Sequence, residues 1–385
     1  MSSFRITTNG LYRNYRTNLY KNNKNLADAM AGLETQRKFN TYAEDPAAAS
    51  KAWRLRRSYW RTGDQIDNNN YVISKYESAY TAMGAIVDGD AGNGEYALGL
   101  DAILSTVKAS SDASGTSRAA LGKQLLQTAD NIVSMMNTKY GDEFVFAGAD
   151  GANLPFEWNA DHSKLLYRGV DVTTPATSYQ SSDFPLNDDK TVNTESEAYQ
   201  KAKSEYSAAH PGASFEDALK LSDMANEATY VDIGLGMKER EGELVTGSAF
   251  NSAVSGLKFL GYGEDQNLVM VIKELGDIYS RTDEGGHFTQ AGDADRANEL
   301  LDKLQDTIRY AQDRHSQLDA DAKYLKTNLK QLETNKNELD KQIVDTEDLD
   351  MAEAITNMTW AQYCYNAALR IGTNILSQSL IDYMS

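Results

Sequence analysis

Residues 301–343 read LDKLQDTIRYAQDRHSQLDADAKYLKTNLKQLETNKNELDKQI. Leu301, Leu304, Ile308, Ala311, Leu318, Ala322, Leu325, Leu329, Leu332, Leu339 and Ile343 recur in alternating steps of three and four, with His315 and Lys336 in the two remaining places. That spacing sets one side chain per turn on one helical face, a heptad seam whose apolar edge is buried only against other helices. No Gly or Pro interrupts the stretch. Asp293 and Asp295, just after Gly285, Gly286 and Gly292, place acids in a first turn, where they complement the helix dipole, so the helix is expected to start there.

Beyond Ile343, the acidic stretch Asp345, Thr346, Glu347, Asp348, Leu349, Asp350 breaks the seam. A second one resumes one residue out of phase, through Met351, Ile355, Met358, Gln362, Tyr365, Leu369, Gly372, Leu376, Ser379 or Leu380, and Tyr383. A joint between two helices and a phase skip within one long helix both fit this pattern. At the other end of the chain, Leu11, Tyr15, Leu19, Leu26, Met30 and Leu33 follow similar spacing, with Asn18 and Asn22 on or beside the stripe. A helix this polar is marginal alone and needs a partner. The C-terminal seam is the expected one, which brings the two chain ends together as an antiparallel pair. The residues expected to carry assembly are therefore Leu11, Leu19, Leu26, Met30, Leu33, Met351, Ile355, Met358, Tyr365, Leu369, Leu376, Leu380 and Tyr383.

Between these ends the pattern stays helical up to Tyr140. Asp45 as a cap and Pro46 in a first turn open a helix expected to reach about Val87. The stretch Asp88 to Gly94 reads as a turn, followed by helices over about 95–109 and 116–139. From Gly141 to about Gly263 the chain turns rich in Gly, Thr, Ser and Tyr and holds four of the five prolines. Short β-prone runs at Glu143 to Ala147, Lys164 to Arg168, Val170 to Thr173 and Thr229 to Ile233 make this a β-rich α+β insertion, with helices over 195–209 and 214–228. Helix returns from Gln266 to Tyr279. The expected fold is mainly α, a coiled-coil and helical bundle rod with an inserted β-rich outer domain. Its expected parts are a terminal core, 1–45 with 346–385; a helical rod, 46–140 with 264–345; and the insertion, 141–263.

Composition narrows the function. Residues 1–61 hold twelve Lys or Arg against four Asp or Glu, a net +8 in a chain of net charge −18, which leaves −26 for the remainder. The basic segment suits an acidic protein surface; the overall charge and the lack of a groove-reading motif argue against nucleic acid. No apolar run is long enough to span a membrane, and Met1 to Gly10 lacks the apolar core of a cleavable secretion signal. Cys364, the single cysteine, excludes an intramolecular disulfide framework.

No constellation for catalysis stands out. His162, His210, His287 and His315 are scattered, without zinc-ligand spacing, so neither a metal nor a cofactor is expected. His162 beside Asp161 reads as a solvated pair. Asp88-Gly89-Asp90 departs from a calcium loop at its third ligand and closing Glu. Gly234-Leu235-Gly236 follows a β-prone run, but Glu239 stands in place of the third glycine of a dinucleotide fingerprint, and the segment reads as a turn. Cys364, one position off the seam, reads as packing.

Several segments resemble the flagellin superfamily. They are Phe4-Arg5-Ile6-Thr7-Thr8-Asn9, Arg37-Lys38-Phe39-Asn40 and Glu44-Asp45-Pro46-Ala47-Ala48-Ala49. Glu34-Thr35-Gln36 stand where that family usually has small residues. Asn137 to Gly148 with Pro155-Phe156, Val231 to Gly236, Ser248 to Asn251, Leu260 to Gly263 and the ending Leu376 to Met384 are similar to hook–filament junction proteins of the superfamily. The resemblance implies a non-enzymatic structural subunit of the bacterial flagellum, joined terminal helices, and export of an unprocessed chain by the flagellar type III system. It also implies a ring of copies, a first hook-associated protein (hook-associated protein 1) on the hook side, flagellin on the filament side, and an export chaperone on the C-terminal helix. Flagellin itself, the bulk filament subunit, is the alternative, and a filament-displayed extracellular hydrolase a third.

Overall fold

The computed structural model describes residues 8–88, 99–111, 117–187, 189, 191–240, 243–245, 247–283 and 286–384. In chain order its helices are α1 (Thr8–Thr35), α2 (Pro46–Val87), α3 (Leu100–Ser111), α4 (Ser117–Met136), α5 (Glu197–Ala209), α6 (Phe215–Asn226), α7 (Gly256–Leu260), α8 (Leu268–Ser280), α9 (Asp293–Glu347) and α10 (Met351–Met384). The strands are β1 (Lys139–Tyr140), β2 (Glu143–Phe144), β3 (Ala147–Gly148), β4 (Phe156–Trp158), β5 (Leu165–Tyr167), β6 (Val170–Asp171), β7 (Tyr230–Val231), β8 (Glu239–Arg240), β9 (Glu243–Leu244), β10 (Phe250–Asn251) and β11 (Val254–Ser255). Two compact units result: Met1–Asp64 with Leu332–Ser385, and Gln65–Gln331. Helices α2 and α9 contribute to both.

In the first unit α1 and α10 run antiparallel. Tyr15 meets Gly372, the Asn22 side chain donates to the Cys364 carbonyl at 3.5 Å, and Gly32 lies under Leu349. Beside the chain reversal, the start of α2 packs its Ala52, Leu55, Tyr59 and Thr62 face, while α9 turns Leu332, Lys336, Leu339 and Ile343 inward. Lys336 is tolerated on that seam because its ammonium lies 5.0 Å from the centre of the Tyr59 ring, a cation–π contact, alongside Gly63.

The acidic stretch is a joint. Helix α9 stops at Glu347, and the Asp350 carboxylate accepts from the Ala352 and Glu353 amides at 2.9 and 3.3 Å, which caps a new helix, α10. The joint is zipped to the connector that follows α1. Leu349 N–H donates to Gln36 O at 3.0 Å, Lys38 N–H to Glu347 O at 2.7 Å, and Arg37 bridges Asp348. Gln36 takes φ 57°, a left-handed conformation that favours glycine. Asp45 caps α2 by accepting from Ala48 N–H at 2.9 Å, as the Asp45-Pro46 sequence leads one to expect.

The second unit has one main core. It joins Val72, Tyr76 and Met83 of α2, Ile103 of α3, Leu125 and Ile132 of α4, Ile272 and Leu275 of α8, and Leu304, Ile308 and Leu325 of α9. His315 is buried on the α9 seam because its ring stacks on Tyr80 at 4.3 Å, with Nε2 3.3 Å from the Tyr80 carbonyl. Where α9 begins, Arg296 binds both Asp265 and Glu274 through paired hydrogen bonds of 2.7–2.9 Å.

Residues 139–255 hold five small antiparallel sheets among the described residues, one of three strands (β4-β5-β6) and four of two. Strands stop after two or three residues because turns at Gly141, Gly148, Gly169, Gly234 and Gly236, all at positive φ, reverse the chain before a ladder can lengthen. Asn137 supports this layer by clasping the Phe156 backbone through both its amide nitrogen and oxygen, at 2.8 and 3.0 Å. Helices α5 and α6 close a separate small aromatic core around Phe184, Tyr199, Tyr206 and Phe215.

Candidate assembly interface

The α1–α10 pair holds the residues singled out for assembly, and it sorts them in two. Tyr12, Tyr15, Leu19, Asn22, Leu26, Ala29 and Leu33 of α1 are half-buried, again in steps of three and four. Facing them on α10 are Ala354, Met358, Ala361, Tyr365, Ala368 and Gly372. Large side chains of one helix therefore lie over small ones of the other, which lets the axes approach closely. Among the expected residues Leu19, Leu26, Leu33, Met358 and Tyr365 take part in this internal seam. Met30, Met351, Ile355 and Leu369 do not: they are 45%, 41%, 51% and 40% exposed. The side chains of Leu11, Leu376, Leu380 and Tyr383 lie outside the described residues.

The internal seam uses residues that a search for large apolar side chains passes over. Ala354, Ala361 and Ala368 are spaced by seven, a heptad signal visible in the sequence. Helix α10 also shows Trp360, Tyr363 and Ile371, 70%, 68% and 55% exposed. On a helical projection Met351, Ile355 and Leu369 flank one side of the internal seam, and Trp360 and Ile371 the other. Three charged residues, Glu353, Arg370 and Asp382, interrupt its 34 residues. A helix apolar on this many sides is built for burial, at roughly 1.5–3 kcal/mol for each large side chain fully covered. One partner helix cannot supply that cover.

The joint below this pair carries the clearest electrostatic feature of the unit. Arg56 donates from Nε and Nη2 to the two carboxylate oxygens of Glu347 at 2.6 and 2.5 Å. The hydrogen bonds from Arg56 hold the Glu347 carboxyl below its ordinary pKa and push the guanidinium of Arg56 up. Because the folded pKa is depressed, the pair contributes stability above the unfolded value of a glutamate, about 4.3, and loses it as pH falls through the lower folded value. The protection of the amides at residues 347–349, relative to their unstructured exchange rates, should therefore fall selectively below about pH 4.3, and Glu347→Gln should give low protection there even at pH 7. Equal protection in the variant at pH 7 would show that the pair does not hold the joint.

Other sequence candidates stay apart. His162 is exposed at φ 54°, stacked on Trp158 at 5.3 Å, with Nε2 3.8 Å from Asp130. Gly234 and Gly236 form a turn in which Gly234 N–H donates to the Asp232 side chain at 2.9 Å. Gly89 and Asp90 lie outside the described residues, and Cys364 sits half-buried beside the pair. Among the described residues no three His, Cys, Asp or Glu could together hold a metal ion, and no helix is long and apolar enough to cross a membrane.

Paired terminal helices with apolar side chains left exposed on their outer faces are the main feature of the first unit. Residues 6–150 match the sequence family described as the bacterial flagellin N-terminal helical region. No curated protein matches the chain. Among solved structures the chain is similar to one described as a flagellar hook-associated protein from Vibrio parahaemolyticus, with a TM-score of 0.50, 13% sequence identity, and 79% of this chain and 100% of that chain covered. That likeness is one of fold. The N-terminal part of the chain thus carries a flagellin-type helical region, within a fold like that of the flagellar hook-associated protein.

Proposed function

We propose that the chain is the adaptor between flagellar hook and filament, of the kind called hook-associated protein 3. The observation that carries the reading is α10, whose apolar flanks exceed what α1 covers and whose end, Leu376-Ser377-Gln378-Ser379-Leu380-Ile381-Asp382-Tyr383-Met384, resembles that of junction proteins. The segment from Asn137 to Gly148 and the hook-associated fold relative support it. In this reading residues 1–45 and 346–385 form the axial core, and Leu11, Met30, Met351, Ile355, Leu369, Leu376, Leu380 and Tyr383 meet neighbouring subunits. Residues 46–140 with 264–345 form the surrounding helical layer, and 141–263 project outward. Copies form a ring that sits on hook-associated protein 1 and presents a lattice on which flagellin assembles. The unprocessed chain leaves by flagellar type III export, with a chaperone shielding the apolar C-terminal helix beforehand.

A filament subunit is the second reading, favoured by the match of residues 6–150 to the flagellin N-terminal region. Deleting the gene separates the two. The junction reading requires cells that keep hooks and release unpolymerised flagellin into the medium. Hooks that still carry full filaments, or a loss of all flagellin-like protein from medium and surface alike, would reject it.

A further inference from the structure

Helix α2 carries a second exposed face, unrelated to the α1–α10 pair. Its inward face in the first unit is Ala52, Leu55, Tyr59 and Thr62. The opposite side shows Trp53 and Trp60, 61% and 67% exposed, with Arg54, Arg57 and Arg61 also exposed between and beside them. Arg57 lies 5.4 Å from the centre of the Trp53 ring. Arg54 and Arg57 have no ion pair among the described residues. Each turn of this helix thus offers one indole or one guanidinium, or both, to whatever lies against it. Two exposed tryptophans among arginines are the side chains that dominate protein interfaces, where both ring and guanidinium gain from being desolvated together.

An acidic counterpart exists on the same chain, in the second unit. On the exposed side of α9, Asp295, Glu299, Asp302 and Asp306 follow at steps of four, three and four, one carboxylate per turn. Arg54, Arg57 and Arg61 follow at steps of three and four. Both rows therefore repeat at about 5.4 Å, the pitch of the helix, and can register guanidinium against carboxylate turn by turn. Asp295 and Asp302 have no ion pair among the described residues, and Asp306 has only a long contact of 3.9 Å to Arg309, both side chains being well exposed.

We propose that the Trp53–Arg61 face of one copy docks on the Asp295–Asp306 face of a second copy. The contact uses different patches on the two partners, so it is head-to-tail and propagates into a ring or helix in place of closing on a pair. It accounts for the charge asymmetry of the chain, +8 over residues 1–61 against −26 over the rest, as steering between subunits. The inference rests on the reading of the chain as a subunit that packs against copies of itself, which the junction and filament readings share.

Charge reversal tests it in cells that express the full chain. Arg54→Glu with Arg57→Glu, and separately Asp302→Lys with Asp306→Lys, should each lower the amount recovered in sheared flagella about tenfold or more, the effect of 1.4 kcal/mol at the contact. Combining all four reversals should restore most of it. Normal assembly of either double variant, or no restoration in the quadruple one, overturns the proposal. Placement is read independently, in a chain with Cys364→Ser, by Trp60→Cys and Asp306→Cys and a short bismaleimide applied to assembled flagella. Covalent multimers are expected, and monomer alone would overturn the contact. Neither readout depends on whether deletion of the gene releases flagellin, so failure here is distinguishable from failure of the junction reading.

Discussion

Leu369→Asp is expected to leave the isolated protein folded and soluble while abolishing its incorporation into the flagellum. Leu369 is 40% exposed on α10, turned away from the internal line of Ala361, Tyr365, Ala368 and Gly372. An aspartate there stays hydrated in the free chain, and exposed substitutions of this kind move stability by about 0.5 kcal/mol or less. In the proposed assembly the same position is covered. The variant then loses the burial of a leucine, roughly 1.5–3 kcal/mol, and must also desolvate a carboxylate that has no partner. Repetition in every copy multiplies the cost. The control is the next residue: Ala368 is 9% exposed and faces α1, so Ala368→Asp should unfold the helix pair before any question of assembly arises. Thermal unfolding by circular dichroism and the amount recovered from sheared flagella separate the two variants. Wild-type motility with Leu369→Asp would remove α10 from the interface.

Apart from the short α7, the helices were legible in the sequence to within a few residues, because a period of three and four leaves little freedom. The α9 seam from Leu304 to Leu325 is buried as spaced, and Asp293 opens the helix. The break at 345–350 was legible, but the choice between a joint and a phase skip was not. What decides it is the pairing of Gln36 and Lys38 with Leu349 and Glu347, more than three hundred residues apart, and no local pattern reports such a partner. Periodicity did not separate the internal stripe of α10 from its flanks, for a physical reason. Periodicity marks where apolar bulk lies, and on a helix with apolar residues on both flanks of its seam it does not say which stripe meets the nearest neighbour. Ala354, Ala361 and Ala368 won that place because Tyr15, Leu19 and Leu26 on α1 supply the volume. The expected β-rich insertion holds strands of only two or three residues, since the glycine turns recur faster than ladders can grow.

Glycine packing in the second unit supports the other large effect. Helices α4 and α8 cross at Gly122 and Gly276. A Cβ on Gly122 would lie 2.5 Å from Ser280 N, 2.6 Å from Ser280 Oγ and 2.8 Å from the Gly276 carbonyl. A Cβ on Gly276 would lie 3.0 Å from the Gly122 carbonyl and 3.1 Å from Leu125 Cβ. Two of the atoms met by Gly122 belong to the backbone and cannot rotate aside, so the helices must separate. In a core holding Leu125, Ile272 and Leu275, that separation opens voids along the whole crossing. Alanine in a helix interior otherwise gains about 1 kcal/mol over glycine, so the sign of the change reports the contact and not the propensity. Gly84 of α2 provides the contrast, because its added Cβ meets only the His315 ring at 3.5 Å, an ordinary contact. Gly84→Ala should be neutral or stabilising by up to about 1 kcal/mol, whereas Gly122→Ala should destabilise by about 3 kcal/mol, the upper range for overpacking. Urea unfolding of the two variants decides it. If Gly122→Ala were as stable as Gly84→Ala, α4 and α8 would not cross at this distance, and the core that carries the insertion would have to be built another way.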